Sequence, residues 1–227
     1  MTTQLFWILF IALMVLSFAA SKSVERKFKR YAKIPTNNNM TGREVAERML
    51  YDNDIHDVTI HEVNGTLTDH YNPKDKTLNL SHDVYHGTSV AAAAVAAHEC
   101  GHAVQHAHAY SWLTLRSMLV PMVSFSNRWV SWVLLAGVLL INVFPSLLLA
   151  GILLFAVTTL FSVVTLPVEI NASHRALLWL NTHSITSTET HRYAESALRS
   201  AAYTYVVAAL TSMATLFYYL LIYLDRR

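Results

Sequence analysis

A single cysteine, Cys100, stands in a chain of 227 residues, so no intrachain disulfide can form. That fits exposure to a reducing cytoplasm. Charge is also scarce: 14% of the residues are Asp, Glu, Lys or Arg against 53% hydrophobic, and the mean hydropathy is +0.32. This is too apolar for an ordinary soluble domain. Three long runs, residues 5–20, 129–166 and 201–224, contain no Asp, Glu, Lys, Arg or His. A metal transporter places polar ligands within its spans, so this absence argues against transport despite twelve histidines. The net charge is only +2. Many of the basic residues (Lys22, Arg26, Lys27, Lys29, Arg30 and Lys33) cluster beside the first apolar run, where anionic headgroups account for them. No nucleic-acid partner is expected.

No positive side chain precedes Leu5, so the first run reads as a retained anchor and not as a cleaved signal, although Ala19-Ala20-Ser21 imitates a cleavage site. The basic residues after it place the N-terminus outside and the following segment in the cytoplasm. The second run is long enough for two crossings, with a turn at Asn142-Val143-Phe144-Pro145, where proline disfavours helix at the preceding residue. The third suffices for one more, leaving Asp225-Arg226-Arg227 outside. Four spans are expected, with Trp112, Trp129 and Trp132 as interfacial anchors.

Between the anchor and the hairpin lies a polar stretch. Thr41-Gly42-Arg43-Glu44 has capping-box spacing and predicts a helix through Tyr51 that buries Val45, Met49 and Leu50. Alternating segments at 58–63, 66–71 and 77–80, with a type I′ turn at Asn64-Gly65, predict a small antiparallel sheet. An exposed edge of that sheet could hold an extended peptide by strand addition. A further helix is expected from a cap at Thr88 or Ser89.

That helix carries His98-Glu99-Cys100-Gly101-His102. Histidines four apart lie on one helix face and can grip one metal ion, while the intervening glutamate lies near enough to take a proton from a bound water. By chance the pattern would arise in roughly 2 of 100 shuffles, so its setting matters. Cys100 faces away from the histidines and reads as packing; Gly101 admits another backbone, expected to be a sheet strand. His106 and His108 read as polar groups near headgroups. A hydrolytic zinc needs a third protein ligand on the same side of the membrane. Glu169 follows an even number of crossings after His102, which returns it to the cytoplasmic face.

The stretches from Thr68 through Leu78-Asn79-Leu80-Ser81 to Ala97-His98-Glu99-Cys100-Gly101-His102-Ala103-Val104-Gln105, with Pro167-Val168-Glu169-Ile170-Asn171-Ala172-Ser173, resemble the YugP-type neutral zinc metallopeptidases of bacterial membranes. More distantly, Glu169-x-x-Ala172 is similar to HtpX and the CAAX prenyl endopeptidases, in which the glutamate ligates zinc. Those relatives commonly carry an aspartate where Ser173 stands here, so a weaker, neutral partner is implied for a zinc histidine.

The expected fold is a mainly α membrane protein of about four transmembrane helices, with a small zincin-like, gluzincin-type α+β segment. Its parts are an anchor (1–21), the HExxH segment (22–115), a hairpin (116–168), a third-ligand region (169–200) and a final span (201–227). The expected activity is that of a multi-pass bacterial-membrane endopeptidase with its site on the cytoplasmic face. One Zn2+ per chain would be held by His98, His102 and Glu169, with Glu99 as general base. Peptides or membrane-associated proteins would be its substrates. His174, Arg175 and His191 are open as oxyanion stabilisers. The alternative is a zinc-binding membrane scaffold or adaptor without catalysis.

Overall fold

The computed structural model describes residues 2–225; Arg226 and Arg227, expected outside the membrane, lie beyond the described residues. Its elements are α1 (Thr2–Tyr31), α2 (Gly42–Asp52), β1 (Thr59–Val63), β2 (His70–Asn72), β3 (Thr77–Ser81), α3 (His82–Tyr85), α4 (Val90–Ala107), α5 (Ser111–Leu139), α6 (Pro145–Thr182) and α7 (Thr188–Leu224). Contacts divide the chain into two compact units. One comprises the described residues through Ala19, Thr114–Pro167 and those from Thr204 onward; the other comprises Ala20–Leu113 and Val168–Tyr203.

In the first unit the apolar runs are helical and joined as expected, with the turn at 140–144 between α5 and α6. The two helices pack closely where Gly137 meets the Leu148 backbone and Gly151 meets Leu134. Phe6 and Phe10 meet Tyr218 edge-on, and Thr159 Oγ1 lies 2.8 Å from Ser212 Oγ. Among the described residues four helices are long and apolar enough to cross a membrane: Phe6–Tyr31, Ser111–Leu139, Pro145–Thr182 and Thr188–Leu224.

The second unit holds the polar segment. Helix α2 begins with the expected capping box: Thr41 Oγ1 accepts from Glu44 N at 3.2 Å, and Thr41 N donates to Glu44 Oε2 at 2.7 Å. These bonds hold the Glu44 carboxyl below its ordinary range. Val45, Met49 and Leu50 point into a core shared with Leu78, Leu80 and the small side chains of α4. Burying each large apolar side chain there stabilises the fold by about 1.5–3 kcal/mol. On α6, Trp179 Nε1 donates to Asp52 Oδ2 at 3.0 Å, tying that helix to α2.

The sheet differs from the expected antiparallel hairpin. Its order is β1-β3-β2; β3 pairs with β1 in parallel and with β2 antiparallel, so the sheet is mixed. Residues 64–69 form a folded loop in place of a two-residue turn. Gly65 and Leu67 have positive φ, Thr68 Oγ1 donates to Asn64 O, and Asp69 accepts from Ser81 N and Oγ. Burial pushes the Asp69 carboxyl above its ordinary range, against those two bonds. β3 takes the centre because Leu78 and Leu80, both 0% exposed, are the sheet's most buried side chains. β1 and β2 are left as the edges.

Candidate metal centre

Helix α4 starts where expected, with Ser89 Oγ accepting from Ala92 N at 3.2 Å. From Val90 to Ala97 its side chains are small, and most are buried, which lets neighbouring elements approach closely. Another helix approaches closely at Gly101, where a Cβ would lie 2.6 Å from the Ala172 carbonyl oxygen. The backbone expected near Gly101 is therefore that of α6, not a sheet strand. This contact sets α4 against α6 one turn from Glu169.

His98, His102 and Glu169 converge there, with one ligand atom from each lying within 4.8 Å of the others. Glu169 Oε2 is 3.3 Å from His98 Nε2 and 3.6 Å from His102 Nε2, and Glu169 is only 3% exposed. The Nδ1 atoms are held from behind by neutral groups. Ser173 Oγ lies 3.1 Å from His98 Nδ1, the contact in which the related families were expected to use aspartate. Gln105 Nε2 donates to the Val168 carbonyl at 2.8 Å and to Asn171 Oδ1 at 3.0 Å. A carbonyl accepts only, so the amide's Nε2 must face Val168 and its Oε1 must face His102 Nδ1, 3.1 Å away. His102 therefore carries a proton on Nδ1 and turns Nε2 toward Glu169.

The donor set fits zinc: two imidazoles and a carboxylate, with the distal ring nitrogens fixed by hydrogen bonds as in metal-ligating histidines. The electrostatics agree. Burial disfavours a charged His102, yet the neighbouring Glu169 and Glu99 carboxylates outweigh it and hold the imidazole above its ordinary range. The cluster thus attracts positive charge. Glu99 is buried (8% exposed), and its Oε2 accepts from Tyr71 N on the edge strand β2 at 3.1 Å. Burial pushes the Cys100 thiol up, as suits a packing residue.

Of the three residues considered for the oxyanion, Arg175 is joined to this network: its Nε donates to Asn171 Oδ1 at 2.8 Å. His174 is exposed, and His191 Nδ1 lies 3.0 Å from Thr186 Oγ1 between α6 and α7. His106 Nδ1 pairs with the Tyr71 hydroxyl at 2.8 Å. Sequence reasoning missed Gln105 and Tyr71 as parts of the site. The signal for Gln105 is its position three residues after His102, on the same helix face.

Replacing Gln105 by leucine keeps much of its volume but removes the His102 contact. Zinc affinity is then expected to fall about 10–100-fold, the usual cost of losing a partner behind a metal-bound histidine. Competition against a chromophoric chelator measures this, and unchanged affinity would reduce Gln105 to a packing role.

An HExxH helix with a carboxylate delivered to it from a second helix is the arrangement of a zinc peptidase. Residues 6–224 match the family described as "Putative neutral zinc metallopeptidase", and the chain belongs to that family. It is 40% identical over 224 residues, 99% of either chain, to a Bacillus subtilis (strain 168) protein described as "Putative membrane protease YugP". No solved structure matches the chain.

Proposed function

We propose that the protein is an integral-membrane zinc endopeptidase that hydrolyses peptide bonds with Glu99 as general base. The convergence of His98 Nε2, His102 Nε2 and the buried Glu169 carboxylate carries this reading. These three residues would hold one zinc ion in a gluzincin-type arrangement. Bound there, zinc supplies Lewis acidity, which acidifies a water and polarises a peptide carbonyl. The residues of the chain do the rest. Glu99 takes the proton from the attacking water and passes it to the leaving amine. Tyr71 N–H orients the Glu99 carboxylate. Gln105 and Ser173 hold the two imidazoles. Arg175, anchored by Asn171, is the group we assign to the developing oxyanion.

Because β2 is an edge strand whose backbone already reaches Glu99, an extended substrate segment would pair along it. The detergent-purified protein is expected to retain one tightly bound zinc per chain. Its peptidase activity should disappear on chelation and return with added zinc. A well-folded preparation that neither holds nor accepts zinc would overturn the reading.

The site belongs on the cytoplasmic face, because the basic cluster from Lys22 to Lys33 precedes it without an intervening span. Membrane-associated or unfolded protein segments are the favoured substrates, since Glu169 directly follows the apolar run of α6. A reporter fused after Lys33 should be active only in the cytoplasm. Its appearance outside would reverse the topology and move the site to the exterior.

A further inference from the structure

A second cluster of metal-binding character lies in the same unit, built from residues that the peptidase site does not use. Glu62 on β1 faces His82 and His86, and one ligand atom from each lies within 4.8 Å of the others. His82 Nδ1 is 2.6 Å from Glu62 Oε1, and His86 Nε2 is 3.1 Å from Glu62 Oε2. The two imidazole rings are 4.9 Å apart.

Two features of the fold bring these residues together. The parallel register pairs Glu62 with Leu80 and Val63 with Ser81, so the chain leaving β3 enters α3 beside Glu62. The single turn of α3 then sets His86, its C-cap, four residues after His82 and on the same face. The side chains are solvated, at 70%, 41% and 55% exposure for His82, Glu62 and His86. Exposed ion pairs contribute little by themselves, so mutual attraction is a weak reason for three such side chains to converge. A shared cation is a stronger one. His82 and His86 also line an open cavity of about 1070 Å³, which gives aqueous ions a route to them.

We propose that Glu62, His82 and His86 form a second, exchangeable site for a late transition-metal ion such as Zn2+. Two imidazoles and one carboxylate suit zinc, copper or nickel and disfavour Mg2+ and Ca2+, which take oxygen ligands. Three protein ligands leave positions for water, and the exposure makes binding weaker than at the buried centre.

The consequence lies at the start of the peptidase helix. Directly after His86, Gly87 O accepts from Gly42 N at 2.9 Å and Thr88 O accepts from Thr36 N at 3.0 Å. Val90 N then donates to Ile34 O at 2.8 Å, and Ser89 caps α4. An ion bridging β1 and α3 would therefore stiffen the junction where the segment after α1, the start of α2 and the N-terminus of α4 meet. Metal availability would tune the rigidity of the element that carries His98 and His102.

The test uses full-length, detergent-solubilised protein without a polyhistidine tag, titrated with zinc alone. Wild type should show two classes of zinc: one tightly held, and a second that a mild chelator removes and whose binding raises the thermal midpoint. His82→Ala with His86→Ala should abolish the second class and keep the first. Glu62→Gln, which preserves side-chain shape, should weaken the second class at least about tenfold, as loss of one of three ligands requires. His98→Ala with His102→Ala should lose the tight class and keep the weaker one. The proposal is overturned if wild type binds only the tight zinc. It is equally overturned if the weaker class survives in the folded double variant, because other surface histidines would then account for it. Should the tight class instead persist without His98 and His102, the peptidase centre would be misassigned while this site stood.

Discussion

Glu99→Gln is expected to lower the rate of peptide hydrolysis by about 10²–10⁴-fold, the range that a positioned general base contributes. Zinc content and thermal stability should change little. Folding and the proposed chemistry can be separated at this position. Glu99 Oε2 accepts from Tyr71 N at 3.1 Å, and the glutamine amide oxygen can accept the same bond in the same space. What glutamine cannot do is take a proton from water at neutral pH. The measurement is turnover of an unfolded protein substrate by purified wild type and variant, each with zinc content determined. An undiminished rate at equal zinc occupancy would remove Glu99 from the mechanism. A protein that holds zinc but cleaves nothing in either form would instead support the scaffold alternative.

Glu169→Ala should have the largest effect on metal binding, with affinity for the tight zinc reduced by more than the roughly 10–100-fold typical of an outer partner. The carboxylate is 3% exposed and stands 3.3 and 3.6 Å from the two imidazole nitrogens. Alanine leaves two histidines to hold an ion that needs three protein ligands in a hydrolytic centre. Glu169→Gln provides the control for folding, since its amide keeps the size of the side chain while losing the charge. Both variants should be depleted of tight zinc in metal analysis of monodisperse protein. Retention of the tight zinc in a folded Glu169→Ala protein would transfer the third-ligand role to another residue.

Much of the helical architecture could be read from the chain because its causes are local. The runs at 5–20, 129–166 and 201–224 lack charge over lengths that suit membrane helices; the first and last lie within α1 and α7, and the middle one is divided between α5 and α6 by the turn at 140–144. The Thr41 to Glu44 capping box and the Ser89 cap are set by residues within one turn of one another. His98, Glu99 and His102 lie together for the same reason. Glu169 required a longer inference, from the parity of membrane crossings and from family resemblance.

The sheet was misread because strand order is not a local property. Asn64-Gly65 is a sound hairpin signal, but the burial of Leu78 and Leu80 puts β3 in the centre and turns residues 64–69 into a loop. That rearrangement brings Tyr71 to Glu99 on one side and Glu62 to His82 and His86 on the other.

What the sequence alone determined is therefore the helical, membrane-compatible character of the chain and the HExxH pair, since both follow from periodicities and spacings along one segment. Only the tertiary structure decided how the imidazoles are held, which strand edge meets Glu99 and how a second histidine pair acquires its carboxylate. Each of those depends on contacts between residues distant in sequence, made by packing Gly101 against Ala172 and pairing β1 with β3.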